Sequence, residues 1–337
     1  MRAVAYTAPQ PISAQTSLID VDLPMPGARG HDLLVEIKAV SVNPVDTKVR
    51  AGVAPSDGEF KVLGWDAAGI VKAVGPEVTL FKVGDEVSYA GAINRPGSNA
   101  EFHLVDERIV GRKPASIDFA AAAALPLTSI TAYEALFDRL KVQDAVPGAA
   151  NAILIIGGAG GVGSIAIQIA RALTDLTVVA TASRPETQEW VKALGAHHVI
   201  DHSKPIAPQM AALGIGAPGF VFSTTNTSDH LQDIVEVIAP QGRFALIDDP
   251  KTLDVVPFKR KAISIHWELM FTRPLFGTAD MIEQHKLLNK VADLVDAGTI
   301  RTTLNETLGV INAANLKTAH AMIESGKTKG KLVLAGF

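Results

Sequence analysis

The chain has no cysteine. Disulfides are excluded with it, and so is every zinc site that needs a thiolate. It also lacks an excess of either charge: 31 Lys and Arg stand against 35 Asp and Glu, a formal net charge of −4 over 337 residues. That balance leaves no electrostatic footprint for nucleic acid or an anionic membrane, and the short basic run Lys259–Arg260–Lys261 does not supply one. The start, MRAVAYTAPQPIS, has one arginine and no apolar stretch of signal-peptide length. The longest apolar window, residues 152–170, is interrupted by glycines and falls short of the roughly 20 residues of a membrane span. No internal repeat or low-complexity segment is present. A cytoplasmic protein without nucleic-acid or membrane partners is the expectation.

What the chain does have is a 47% hydrophobic composition, enough to bury a sizeable core in two domains of ordinary size. Its texture changes along its length. In the first ~125 residues, short β-like runs (MRAVAY, DLLVEIKAVSV, GIVKAVG, DEVSYAG, AEFHLV) are separated by Gly, Pro and Asp, as in a compact, mostly antiparallel β domain. AAAAAL (120–125) reads as the start of a helix between domains. Beyond it, strands and helices alternate. AILII (152–156) is an all-apolar strand buried on both faces. Val162, Ile165, Ala166, Ile169, Ala170 and Leu173 then follow helical spacing. TVVATA (177–182), HHVID (197–201), GFVFSTT (219–225), RFALID (243–248) and AISIHW (262–267) read as further strands. Helices lie between them over 185–194, 205–213 and 228–239, the last opened by Ser228. Such alternation gives a parallel sheet covered by helices. The remainder reads as a helix near 280–297, a strand near 307–311, a helix near 313–325 and a closing strand KLVLAG (331–336).

The densest signal is IIGGAGGVGS (155–164), with glycine at 157, 158, 160, 161 and 163. Gly158, Gly160 and Gly163 spell G-x-G-x-x-G between a buried strand and an amphipathic helix, the context that gives this pattern meaning. The first glycine permits a tight turn, the second lets backbone approach a pyrophosphate, and the third lets helix and strand pack closely. Amides at the helix start, including those of Gly161 and Val162, would hold the anion together with the helix dipole. A dinucleotide site is the reading, rather than a flexible turn.

The next strand selects the dinucleotide. An acid about 20 residues on would bond the ribose 2′-hydroxyl of NAD. Here the strand ends in Ser183 and Arg184, while Asp175 precedes the strand, at the wrong end of the sheet. A hydroxyl and a guanidinium suit a 2′-phosphate, so NADPH is expected; the alternative is that Arg184 is a solvated charge beside a helix start. His202, after the third strand, either lies against the adenine or is an ordinary surface histidine.

Taken in order, the β-rich first part, the glycine-motif sheet and the returning C-terminal segment, with VSVNPVDTKVRAG (40–52), VLGWDAAGIVKAVG (62–75), GDEV (84–87) and IIGGAGGVGS, resemble the medium-chain dehydrogenase/reductase superfamily. Within it the chain looks most like the zinc-free quinone oxidoreductase branch related to zeta-crystallin. The resemblance implies a GroES-like, mostly-β catalytic domain over residues 1–126 and 271–337. It implies a Rossmann doubly wound parallel-sheet domain over 127–270, in an α/β fold. Zinc members of the superfamily carry Cys in V-x-x-C-x-x-D and His in G-H-E. The matching positions here hold Asn43 and Trp65, neither of them a usual zinc ligand, and no metal is expected. The nine histidines show no tight H-x-x-H spacing on an evident helix.

By the same resemblance, Asn43 lies near the nicotinamide, where its NH2 could donate to an acceptor oxygen. Otherwise it is a turn residue before Pro44. Asp46 orients neighbours. Thr128 faces the cofactor or bonds its own helix backbone, and Lys331 reaches the cofactor or is solvated. Tyr133 is a weaker candidate, as a proton donor. Ser223 and Asp248 sit at the carboxyl ends of strands, where ligands bind in this topology. The expected activity is NADPH-dependent hydride transfer to a quinone or enone, with enoyl-thioester reduction or a non-catalytic NADPH-binding role as alternatives. A P-loop is not spelled by SGKTKGK (325–331), because Ala321 stands where glycine is needed and a helix precedes it. A Tyr-x-x-x-Lys pair is absent, since Phe137 follows Tyr133 at that spacing. The apolar edge strand near 262–270 is expected to pair with its symmetry mate in a homodimer.

Overall fold

The computed structural model of the chain describes residues 1–56 and 58–337. It divides into two compact units, Met1–Ile130 with Phe271–Phe337, and Thr131–Met270. The expected boundary at residue 126 falls four residues early (130 against 126), so Thr128 belongs to the first unit.

In the first unit the expected β runs all form strands. They are β1 (Arg2–Tyr6), β3 (Asp32–Val42), β5 (Ala67–Val74), β6 (Glu86–Tyr89) and β7 (Phe102–Asp106), and three strands that were not expected join them, β2 (Ile19–Asp22), β4 (Lys61–Val62) and β8 (Val110–Arg112). One sheet has the order β2-β1-β4. The centre of the larger sheet is β3, which pairs antiparallel with both β5 and β7. Eight of its eleven residues are buried. Directly after β3 the chain turns into helix α1 (Pro44–Gly52). The sequence reading assigns no element here, with a turn at Asn43 as one alternative, yet the stretch spells a helix start. Asn43 is the extended N-cap, Pro44 takes the first helical position, and Asp46 Oδ2 accepts the Asn43 N–H at 2.8 Å. Helix α2 (Phe119–Ala123) begins at Asp118, whose Oδ1 accepts the Ala121 N–H at 2.8 Å. It is followed by α3 (Pro126–Tyr133) and by a π-helical stretch, Glu134–Arg139. This run is long and apolar enough to cross a membrane, but it is mostly buried inside the protein.

The second unit is a six-stranded sheet. Its strands are β9 (Ala150–Ile156), β10 (Thr177–Thr181), β11 (His198–Ile200), β12 (Pro218–Ser223), β13 (Arg243–Leu246) and β14 (Ser264–Trp267). They lie in the order β11-β10-β9-β12-β13-β14, and every neighbouring pair is parallel. The connections carry α4 (Gly161–Leu173), α5 (Pro185–Ala193), α6 (Ile206–Ala212) and α7 (Thr227–Val237). This is the doubly wound α/β arrangement, and its strand order reverses between β9 and β12. Leu154, Ile156, Val179, Val221, Phe244 and Leu246 form one core cluster. Burying each such side chain contributes about 1.5–3 kcal/mol. Helix α7 starts one residue earlier than expected, at Thr227, because Asp248 accepts both its N–H (2.8 Å) and its hydroxyl (2.5 Å).

The returning segment carries α8 (Thr272–Phe276), α9 (Glu283–Asp296), β15 (Leu304–Thr307), α10 (Ala313–Glu324) and β16 (Lys331–Ala335). β16 pairs antiparallel with β3, and β15 pairs parallel with β16. The strand expected near 307–311 is thus displaced toward the N-terminus. Gly309, at φ +96°, breaks the apolar run that suggested it.

Candidate functional site

The glycine turn joins β9 to α4 at the carboxyl edge of the parallel sheet. Its glycines divide the work differently from the expectation. The positive φ, +79°, belongs to Gly157, where a Cβ would also meet Thr224 Oγ1 at 2.4 Å. Gly158 is needed for packing instead: its Cβ would lie 2.9 Å from that of Ala180. At Gly163 a Cβ would lie 2.3 Å from Gly157 O, so helix and turn backbones touch as the motif requires. At Gly160, in contrast to these three, the space is open, with Gly157 O at 3.5 Å as the nearest atom. The first turn of α4, with Gly161 and Val162, presents amides that have no acceptor within the helix.

Two loops flank this turn. The Thr181 hydroxyl accepts the Gly157 N–H at 3.0 Å and meets His202 Nδ1 at 2.9 Å. His202 is half-buried and packs edge-on to His230, and burial holds its imidazole below the usual histidine range. Arg184 is the N-cap of α5, just after Ser183, and its Nε stands 3.2 Å from Glu186 Oε1. A guanidinium at a helix N-terminus opposes the helix dipole, and an anion there would complement it. Ser223 and Asp248, expected to face the cofactor, are turned inward. Ser223 Oγ lies 2.8 Å from Thr227 Oγ1 and is fully buried, and Asp248 caps α7.

In the first unit, a closed polar cluster gathers residues far apart in sequence. Asn43 Nδ2 donates to Asp66 Oδ2 (2.9 Å) and to the Trp65 carbonyl (3.3 Å). Lys331 Nζ donates to Asp66 Oδ2 (3.0 Å), to the Val42 carbonyl (3.2 Å) and to Asn43 Oδ1. Asp66 Oδ1 accepts the Leu127 N–H at 2.7 Å, and Asp46 Oδ1 accepts that of Gly64 at 3.0 Å. All four side chains are buried. Burial raises Asp66, against the pull of Lys331, and lifts Asp46 to about 7. The amide hydrogens that the sequence offered to a substrate oxygen are therefore engaged within the protein. Lys331 is neither solvated nor extended toward a ligand. Thr128 Oγ1 donates to the Leu125 carbonyl at 3.2 Å, the internal helix bond, rather than facing outward. Tyr133 packs against Phe137 with the rings tilted at 43° and their centroids 4.5 Å apart. Sequence reasoning did not single out Asp66. The signal available was an acid inside the apolar run LGWDAAG.

Comparison with known proteins gives the same architecture. An alcohol dehydrogenase GroES-like domain matches residues 29–115, and a zinc-binding dehydrogenase domain matches residues 194–334. The chain is 41% identical to a zinc-type alcohol dehydrogenase-like protein of Staphylococcus aureus (strain MSSA476), over 92% of each chain. It is 31% identical to a quinone oxidoreductase of Pseudomonas aeruginosa, again over 92% of each. A crystal structure from Rhizobium etli CFN 42, provisionally named a zinc-dependent alcohol dehydrogenase, superposes with a TM-score of 0.99. It is 69% identical and covers 100% of this chain and 98% of that one.

The zinc-binding domain name and two of the three relatives' names imply zinc, and the residues here do not fit it. The chain has no thiolate, and among the described residues no three His, Asp or Glu side chains are disposed to hold a metal ion. Asp66 and Asn43 already share the Lys331 ammonium, and the Trp65 indole donates to the Ala92 carbonyl at 3.2 Å. With a GroES-like unit and a parallel dinucleotide-type sheet in one chain, and relatives matched over almost its whole length, the protein belongs to the medium-chain dehydrogenase/reductase superfamily of oxidoreductases.

Proposed function

We propose that the protein is an NADPH-dependent reductase that passes hydride to a quinone or an α,β-unsaturated carbonyl without a metal. The observation that carries this reading is the carboxyl edge of β9 and β10. An open backbone site at Gly160 there stands beside β10, which ends at Thr181 and is followed by Ser183 and Arg184, the first acid beyond it being Glu186, on the Arg184 guanidinium. Amides of Gly161, Val162 and Gly163, beside the open backbone at Gly160, would hold the diphosphate, Ser183 and Arg184 the 2′-phosphate, and His202 the adenine side. A bound reduced nicotinamide supplies the hydride. A quinone needs little further activation, because its product oxyanion is delocalised, so positioning is the main demand on the protein. The likeness to a quinone oxidoreductase over 92% of the chain supports that acceptor class. We also propose a homodimer through β14, the edge strand of its sheet.

The test is a titration with NADPH and NADH, on the wild type and on Arg184→Ala, followed by turnover on 1,4-benzoquinone, 2-alkenals and enoyl-CoA. NADPH should bind at least about tenfold more tightly, and the variant should lose most of that preference, as expected for a charge-assisted bond. Equal affinity for both cofactors in the wild type overturns the NADPH assignment. Tight binding with no acceptor reduced overturns the enzymatic one.

A further inference from the structure

The Lys331 ammonium is a cation without a vacancy around it. It has three N–H donors, and three acceptors surround it: Asp66 Oδ2, the Val42 carbonyl and Asn43 Oδ1. Lys331 has 2% of its surface exposed and Asp66 none. The same acceptors are bonded from their other sides, Asp66 by the Leu127 N–H and the Asn43 amide. Asp46, whose charge also acts on Lys331 and Asp66, is bound by two backbone N–H groups. Every polar atom of this network has a partner from this chain.

We propose that Lys331 is the permanent cation of this cluster, held where the family name would put a metal, and that it fixes the orientation of Asn43 and Asp66 while excluding a divalent ion. The proposal deepens the metal-free part of the proposed function and rests on it. Two features make the exclusion physical. A divalent ion close enough to use Asp66 or Asn43 would face an ammonium a few ångströms away in a dry site, with repulsion far larger than in water. The ammonium cannot swing out to make room, because its stem is part of β16 and its three hydrogens would lose buried acceptors. The charge count agrees. Two carboxylates share the cluster with one monovalent cation, and burial, with the Asp66 charge adding to it, raises Asp46 toward neutrality. Lys331 acts here through Asn43 and Asp66 and is thus a positioning residue.

The experiment needs neither substrate nor NADPH, so its failure is separable from that of the hydride-transfer reading. First, the wild-type protein is incubated with excess zinc, desalted and analysed for metal. The expected content is below about 0.1 zinc per chain, with no change in melting temperature; one zinc per chain that survives desalting and raises the melting temperature overturns the proposal. Second, Lys331→Ala is melted with and without propylammonium, which can occupy the vacated channel. The variant should melt on the order of 10 °C lower than wild type, and millimolar propylammonium should recover a saturable part of that loss, whereas tetramethylammonium should not. Lys331→Met fills the channel without charge and should be lowered without recovery. A Lys331→Ala protein as stable as wild type and indifferent to propylammonium overturns the proposal. Should Lys331→Ala not fold, the zinc measurement on the wild type still decides.

Discussion

Arg139 Nε donates to Glu268 Oε2 at 2.8 Å, and the carboxyl it meets has no exposed surface. Glu134, on the π-helical stretch, is buried beside it and hydrogen-bonds the Glu268 side chain, so the two acids sit against each other within the second unit. Burial, then the Glu134 charge, pushes Glu268 up to about 9 from an ordinary 4.5. The native state therefore holds a proton that the unfolded chain releases above its ordinary value. Between these two values the unfolded state binds fewer protons, so stability falls as pH rises through the window. Glu268→Gln carries the hydrogen-bonding capacity of the protonated acid permanently. Its melting temperature should be flatter from pH 6 to 9 and higher than wild type at pH 9, by on the order of 2 kcal/mol in stability. Thermal melts across that range check it; a variant that declines as steeply as wild type contradicts the shared proton.

The glycine turn predicts a split between folding and binding. Gly163→Ala would press a methyl onto Gly157 O at 2.3 Å and Gly158 Cα at 2.7 Å, where only backbone could yield. It should cost stability and dinucleotide affinity together. Gly160→Ala meets nothing closer than 3.5 Å and has an ordinary φ of −68°, so its melting temperature should match wild type. Its methyl would nevertheless stand in the diphosphate's space, and NADPH affinity should drop at least about tenfold. Parallel melts and cofactor titrations read the two effects separately. Unchanged affinity in Gly160→Ala would remove the turn as the diphosphate site.

Asp46 offers a third measurement. Its two oxygens each accept a backbone N–H, one from Asn43 at the start of α1 and one from Gly64. Asp46→Asn replaces one acceptor by an NH2 that points at a donor. The variant should lose about 1–3 kcal/mol in urea unfolding at pH 7, the cost of an unsatisfied buried group. A neutral result would mean that the carboxylate does not organise the helix start.

What was legible in the sequence is what neighbours in the chain determine. The buried strand β9, the glycine motif and the alternation through β14 each sit within a few tens of residues, and periodicity exposes them. The polar cluster is not of that kind. Lys331 and Asn43 lie 288 residues apart, and Asp66 and Leu127 lie 61 apart. Residue types showed that Asn43 and Lys331 could donate, but not that each donor already had an acceptor in the protein. The same limit applies to Thr128, whose hydroxyl chooses Leu125, and to Asp248, which closes the start of α7. Helix α1 was missed for a different reason. Asn43, Pro44 and Asp46 carried the start signal, but with Pro44 beside it Asn43 was also a plausible turn residue.

The edge of the second unit's sheet yields the last prediction. Strand β14 pairs with β13 on one side only, and among the described contacts its other side has no strand. Trp267 is 52% exposed there and Leu269, just beyond the strand, 53%. An open edge with apolar side chains is a template for another strand, and a two-fold axis would let two copies satisfy each other's unpaired amides and carbonyls while covering both indoles. If that pairing forms, the protein should sediment as a dimer at micromolar concentration. Trp267→Glu, which places two like charges across the axis, should shift it to monomer with little loss in melting temperature for the isolated fold. Wild type that sediments as a monomer at the highest soluble concentration would leave the edge protected by some other means, because a two-fold strand pairing requires the second copy.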